Sequence, residues 1–207
     1  MKNCYSLKLP TLSTDLNQDL LKFGQSFTPA EGFDVINLHE LGKDTQIWVD
    51  FHNHTGTTRS SYIQFDLSPD LQSRIKTEMT DELFPFSKVN FYMQLVIGGE
   101  KLMPHRDPGR TLSILYNISS DHAVTHFYHT HINDADKYLF AIDETEEIES
   151  HRMVPHQWHV FNNEAIHGVS QMFTNRLAIT CRLNADQQLN LPNYQTFFER
   201  YQHLLDV

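Results

Sequence analysis

From Lys88 onward the chain divides into short strand-like segments separated by turns, and this pattern limits the available folds more than any other feature. The segments are Lys88–Ile97, Lys101–His105, Thr111–Ile118, Thr125–Tyr128, Tyr138–Ile142, Trp158–Phe161, Gly168–Gln171 and Leu177–Leu183. Their number and spacing predict a β-sandwich or jelly-roll barrel, mainly β with flanking helices.

The first third reads as mixed α and β. Leu16, Leu20, Leu21 and Phe23 make Ser13–Gly24 a short amphipathic helix with a glycine at its end. Thr28-Pro29-Ala30-Glu31 resembles a capping box, but Gly32 follows at once and limits it to one turn. Strands are expected at Phe33–Leu38, Gln46–Phe51 and Ser61–Leu67. Pro69–Met79 predicts a helix, with Leu71, Ile75 and Met79 on one face. A closing helix over Asn193–Leu205 sets Tyr194, Phe197, Phe198, Tyr201 and Leu205 on one side, to pack on the barrel. The expected organisation is an N-terminal elaboration over 1–85, a β core over 86–184 and a C-terminal helix over 185–207, in a single structural domain.

Charge narrows the partners. Sixteen Lys and Arg face 26 Asp and Glu, a formal net charge of −10. That disfavours a basic nucleic-acid surface and adhesion to anionic membranes. Cys4 and Cys181 make no Cys-x-x-Cys and imply a reducing compartment. The N-terminus lacks a long apolar run, and no window approaches the length of a bilayer-spanning helix. A cytoplasmic location is the expectation, and nothing in the sequence sets an oligomeric state.

Thirteen histidines invite a metal reading, yet most histidines are surface groups or hydrogen-bonding partners. Spacing must therefore select among them. In His105-Arg106-Asp107, residues i and i+2 of an extended chain project to one face, so imidazole and carboxylate can converge on one ion. Alone, this pair is a weak signal. His167 opens a later strand after the polar turn Asn162-Asn163-Glu164 and supplies a third donor. Two imidazoles and one carboxylate form the facial triad of non-haem Fe(II) oxygenases. Three positions stay open, two for a 2-oxo acid and one for O2. A closed four-ligand zinc site offers no such room.

Arg176 begins the last strand of the pattern, where its guanidinium could pair with a carboxylate of 2-oxoglutarate. Thr180 shares its face at the two-residue period and could add a hydroxyl. An arginine on the solvent side of the strand is the plainer alternative. Asn90, Tyr92 and Gln94 alternate with apolar neighbours and either line the pocket or form a solvent edge.

His105-x-Asp107, His167 and Arg176-x-Ala178-Ile179-Thr180 together resemble the double-stranded β-helix of Fe(II)/2-oxoglutarate dioxygenases, nearest to the prolyl-hydroxylase branch. The likeness covers roughly residues 88–183; the N-terminal third carries no matching motif. It implies a cupin-like jelly-roll core, His105, Asp107 and His167 as iron ligands, and Arg176 assisted by Thr180 as the 2-oxoglutarate partner. It further implies Fe(II), 2-oxoglutarate and O2 as cofactor and co-substrates, with ascorbate as supporting reductant. Where oxygen-sensing prolyl hydroxylases hold a co-substrate tyrosine, this sequence has Asn117, with Tyr116 one residue earlier. Only one of the two can point inward, and the phase of Ser113 and Leu115 favours Asn117. Tyr92 and Gln94 are further candidates for the co-substrate shell, and Arg110 for substrate. Asp107 fits hydroxylation, because related halogenases carry a small residue there. The implied substrate is peptidyl proline or a small amino-acid-type molecule.

The remaining histidines read as structural. His126, His129 and His131 lie close together without a fixed fourth donor, and His151, His156 and His159 flank a turn and read as surface groups. The acidic run Asp143-Glu144-Thr145-Glu146-Glu147 reads as a solvated loop. Two other functions stay open. A cupin-type metalloenzyme without 2-oxoglutarate explains the triad but gives Arg176 and Thr180 no role. A non-catalytic jelly-roll binding protein makes four compatible spacings a coincidence.

Overall fold

The computed structural model describes residues 1–26, 48–53, 59–96, 102–107, 111–119, 122–134, 137–138, 140–171, 174–183, 191 and 193–206. The expected strand at Phe33–Leu38 and the turn at Thr28–Glu31 lie outside these residues. So does Arg110.

Two antiparallel sheets face each other. The strands are β1 (Cys4–Leu7), β2 (Trp48–Asn53), β3 (Arg59–Asp66), β4 (Phe91–Val96), β5 (Leu102–His105), β6 (Leu112–Asn117), β7 (Val124–Thr130), β8 (Thr145–Arg152), β9 (Trp158–Asn162), β10 (Ile166–Ser170), β11 (Arg176–Leu183) and β12 (Leu205–Asp206). The larger sheet runs β12-β1-β9-β6-β11-β4-β3-β2 and the smaller β5-β10-β7-β8. Helices α1 (Thr14–Ser26), α2 (Pro69–Met79) and α3 (Tyr194–Tyr201) contribute to the core on one face of the larger sheet.

Strand alternation divides the larger sheet into two unlike faces. Leu112, Ile114 and Tyr116 of β6, Leu177, Ile179 and Cys181 of β11, and Trp158 and Val160 of β9 point toward the helices. There they join Leu16, Leu20, Ile75, Phe86 and Phe197 in the main apolar core. Trp158 is fully buried, and its indole N–H donates to the Pro10 carbonyl at 3.0 Å. The opposite face looks onto the smaller sheet. Its apolar cluster is small, comprising Cys4, Leu115, Phe127, Met153, Phe161 and Ala178. Buried beside it are Ser113, Asn117, Thr125, His159, His167, Arg176 and Thr180. Burying such groups costs free energy unless each finds a partner, so a stability argument alone does not account for this layer.

The helices follow local rules. Ser68 accepts from the Leu71 N–H at 3.3 Å and Pro69 opens α2, whose buried Leu71, Ile75 and Met79 form the expected face. Gly24 does not end α1, which runs on to Ser26. A Cβ at Gly24 would meet a Leu177 methyl at 2.7 Å, so the residue is small for close packing rather than for termination. The closing helix is shorter than its periodicity suggests. It ends at Tyr201, one 3-10 turn follows, and Leu205 pairs with Leu7 as β12.

Two assignments in the β region change. Tyr138–Ile142 is not a strand among its described residues, although Arg106 N–H donates to the Tyr138 carbonyl and Phe140 N–H to the Pro104 carbonyl, tying that segment to β5. The acidic run is not simply a loop. Its second half begins β8, the edge of the smaller sheet, with Glu146 and Glu147 exposed. Charges on an edge strand deter pairing with other chains, and they hide the strand from a search for apolar alternation. No helix among the described residues is long and apolar enough to cross a membrane.

Candidate metal centre

β5 and β10 bring the triad together. His105 and His167 are directly paired across these strands, with ring centroids 4.4 Å apart. The pairing slips between His167 and Val169, beside Gly168. A Cβ on Gly168 would lie 2.7 Å from the Leu102 carbonyl oxygen, so only glycine lets β10 approach β5 this closely. Asp107 follows the end of β5 at the two-residue interval, its Oδ1 3.7 Å from His105 Nε2. One ligand atom from each of His105, Asp107 and His167 falls within 4.8 Å of the other two.

The imidazoles are oriented from behind. His105 Nδ1 lies 2.7 Å from the Met103 carbonyl oxygen, and His167 Nδ1 3.0 Å from that of Ala165. Since a carbonyl only accepts, both Nδ1 atoms carry the proton, and Nε2 is the nitrogen each ring can offer a cation. The rings of Phe127 and Phe161 pack against His167. Asp107 Oδ2 accepts from Asn163 Nδ2 at 2.6 Å, and Asn163 is fully buried. Asn163 went unremarked as a site residue. The signal available was its place in the polar turn ahead of His167. Asn163→Ala is expected to weaken Fe(II) binding by about 10- to 100-fold, as loss of an outer-shell partner does, read by anaerobic titration of the metal.

The triad lines one cavity between the sheets, together with Gln94, Ser113, Thr125, Arg176 and Thr180. Arg176 starts β11, only 4% exposed, and its Nη2 lies 2.8 Å from Met153 Sδ. The solvent-side alternative for Arg176 is therefore set aside. Thr180 points the same way, its hydroxyl donating to the Ile114 carbonyl at 3.3 Å. Thr125 Oγ1 is buried against the cavity with no hydrogen-bond partner among the described residues.

Two further candidates lie elsewhere. Asn117 does face the intersheet layer, as its phase suggested, while Tyr116 packs on Trp158 in the helix-side core. The Asn117 amide nitrogen donates to the Met153 carbonyl at 3.0 Å, however, and the residue does not line the cavity. Tyr92 lines a separate open groove beside α2, with Gln72 and Asn90. His126 sits between Glu147 and Ser170, at 2.9 and 2.6 Å, while His129 and His131 are exposed. Among the described residues, no metal-type cluster forms around these three.

No family model matches the sequence, and no curated protein is detectably similar to it. Solved structures do share its architecture. The epimerase SnoN from nogalamycin biosynthesis, solved with Fe3+, alpha ketoglutarate and nogalamycin RO, is similar with a TM-score of 0.50 and 12% identity, over 89% of this chain and 79% of that one. A prolyl-4-hydroxylase from Pseudomonas putida gives 0.42 at 14% identity, over 87% and 91% of the two chains. Escherichia coli ycfD gives 0.41 at 10% identity, over 73% of this chain, which spans 39% of ycfD. The SnoN likeness fixes the fold class: a jelly-roll, double-stranded β-helix with flanking helices, as the strand pattern predicted.

Proposed function

We propose that the chain is an Fe(II)- and 2-oxoglutarate-dependent dioxygenase that hydroxylates a C–H bond. The carrying observation is that two imidazoles and a carboxylate, preset for one cation, share a cavity with a buried arginine. The donor set suits ferrous iron, because three protein ligands of this type leave coordination positions open. When bound, iron with 2-oxoglutarate and O2 supplies the oxidising power, and succinate and CO2 are released.

The chain's own residues set up this chemistry. His105 and His167 offer Nε2 while the Met103 and Ala165 carbonyls hold their tautomers. Asp107 offers one oxygen while Asn163 holds the other. Arg176 takes a carboxylate of the keto acid in place of its contact with the Met153 sulfur, and Thr180 and Gln94 add hydrogen bonds from the same wall. Thr125 has an unused hydroxyl for a further acceptor or donor. Phe161, Leu115 and Val169 close the cavity with apolar surface that limits water.

The substrate reading is a peptidyl residue of proline type or a small amino-acid-type molecule. It draws on the resemblance of the motif and on the net charge of −10, which disfavours nucleic acid. Ascorbate would serve as reductant for uncoupled turnover.

The test is anaerobic addition of Fe(II) and 2-oxoglutarate. A visible metal-to-ligand charge-transfer band should appear, and admitting O2 should yield succinate without added substrate. Absence of both the band and keto-acid binding would favour a cupin-type metalloenzyme that does not use 2-oxoglutarate.

A further inference from the structure

A second set of metal-ligating side chains lies outside the triad. Cys4 of β1, His151 of β8 and His159 of β9 place one ligand atom each within 4.8 Å of the other two. The expectation that His151 and His159 are surface groups does not hold. His159 is fully buried and His151 partly so, while Cys4 is only 1% exposed. β1 and β9 are neighbours in the larger sheet, and Ser6 pairs with His159, so Cys4 and His159 project from one face two residues out of step. His151 reaches the same point from the facing sheet.

We infer that Cys4, His151 and His159 form a binding site for a zinc-class divalent cation, separate from the iron triad and joining the two sheets. The distances match such an ion. On a tetrahedral zinc with bonds of ~2.0 Å to nitrogen, two imidazole nitrogens lie about 3.3 Å apart. His151 Nε2 and His159 Nδ1 are separated by 3.2 Å.

The tautomer is also set. His159 Nε2 lies 3.4 Å from the Val154 carbonyl oxygen, which can only accept, so the proton is on Nε2 and the Nδ1 lone pair faces the cluster. This is the backing interaction that metal-bound histidines ordinarily make. The Ser6 hydroxyl, 3.4 Å from the same Nδ1, stands where a fourth ligand or the partner of a bound water would be.

Binding exchanges the Cys4 thiol proton for the metal. The S–H bond is replaced by a sulfur–metal bond, the proton leaves to solvent, and no electron moves. Glu149, held by the Asn3 backbone N–H at 2.7 Å, supplies a nearby negative charge. One thiolate with two imidazoles selects a thiophilic ion rather than Mg2+ or Ca2+.

Cobalt(II) is the probe, because only sulfur coordination gives an intense near-ultraviolet charge-transfer band and the iron triad contains no sulfur. Wild-type protein should develop that band, reaching one sulfur-bound cobalt per chain once the triad is also filled, and Zn2+ should bleach it. The band should persist in Cys181→Ser and vanish in Cys4→Ser. His151→Gln, at the least buried ligand, should weaken cobalt at least about tenfold and provides a second variant if Cys4→Ser does not fold. Zn2+ should raise the melting temperature of wild type by more than that of either site variant, in which only the triad is left to bind it. A wild-type protein that binds cobalt with no sulfur band would overturn the inference, leaving a plain His151–His159 hydrogen bond. So would a band that survives Cys4→Ser or is lost in Cys181→Ser.

Discussion

Replacing His167 with alanine is expected to abolish the visible absorption that Fe(II) and 2-oxoglutarate give with the wild-type protein, and succinate formation with it. His167 is one of three donors, and His105 and Asp107 both come from a single short stretch at the end of β5. Without His167 the cation is held from one side only, by two adjacent groups, and no facial triad remains. The effect on iron should therefore exceed that of Asn163→Ala, which leaves all three ligands present. Stability must be checked in parallel. His167 is 5% exposed and packs on Phe127 and Phe161, so its truncation opens a cavity and costs on the order of 2–4 kcal/mol. Near-ultraviolet circular dichroism separates the two effects. A folded variant that keeps the band at full intensity removes His167 from the metal centre and sinks the triad.

How much of this was legible in the sequence depended on how far apart the contributing residues lie. His105 and Asp107 could be paired because a strand fixes the relation of i to i+2. His167 and Arg176 could be joined to them only by the order of strands, and the structure brings all four to one cavity. Asn163 escaped notice because a buried asparagine in a polar turn looks like any turn residue until its partner Asp107 is in place. β8 escaped because an edge strand carries charges where an interior strand carries apolar residues. In the sequence His151 and His159 flank one turn as apparent surface groups, and Cys4 stands far upstream with nothing to connect it to them. Their meeting point depends on β1 pairing with β9 over more than 150 residues of sequence, which no local pattern announces.

The two faces of the larger sheet make the division of labour plain. The helix-side face of β6, β9 and β11 is apolar except for Asn162 at the end of β9, and it holds the fold. The opposite face of the same strands carries His159, Ser113, Asn117, Arg176 and Thr180, all buried. Period-two alternation thus lets one set of strands serve packing and chemistry at once. Cys4 and His159 lie on that second face, and the triad on β5 and β10 faces it from the smaller sheet.

In the proposed function Arg176 holds the co-substrate and not the metal, so Arg176→Met should leave iron affinity close to wild type and remove most of the affinity for 2-oxoglutarate. Deleting the cationic partner of a buried carboxylate costs about 2–5 kcal/mol, or roughly thirty- to several-thousand-fold in Kd. Arg176→Lys should fall between, because a lysine keeps the charge but lacks the planar pair of donors. The diagnostic result is a protein that stays folded, binds Fe(II), and fails to develop the charge-transfer band until 2-oxoglutarate is raised far above its wild-type level. If keto-acid affinity is unchanged while the melting temperature drops, Arg176 is a structural residue, and the carboxylate of the co-substrate must be held by another part of the cavity.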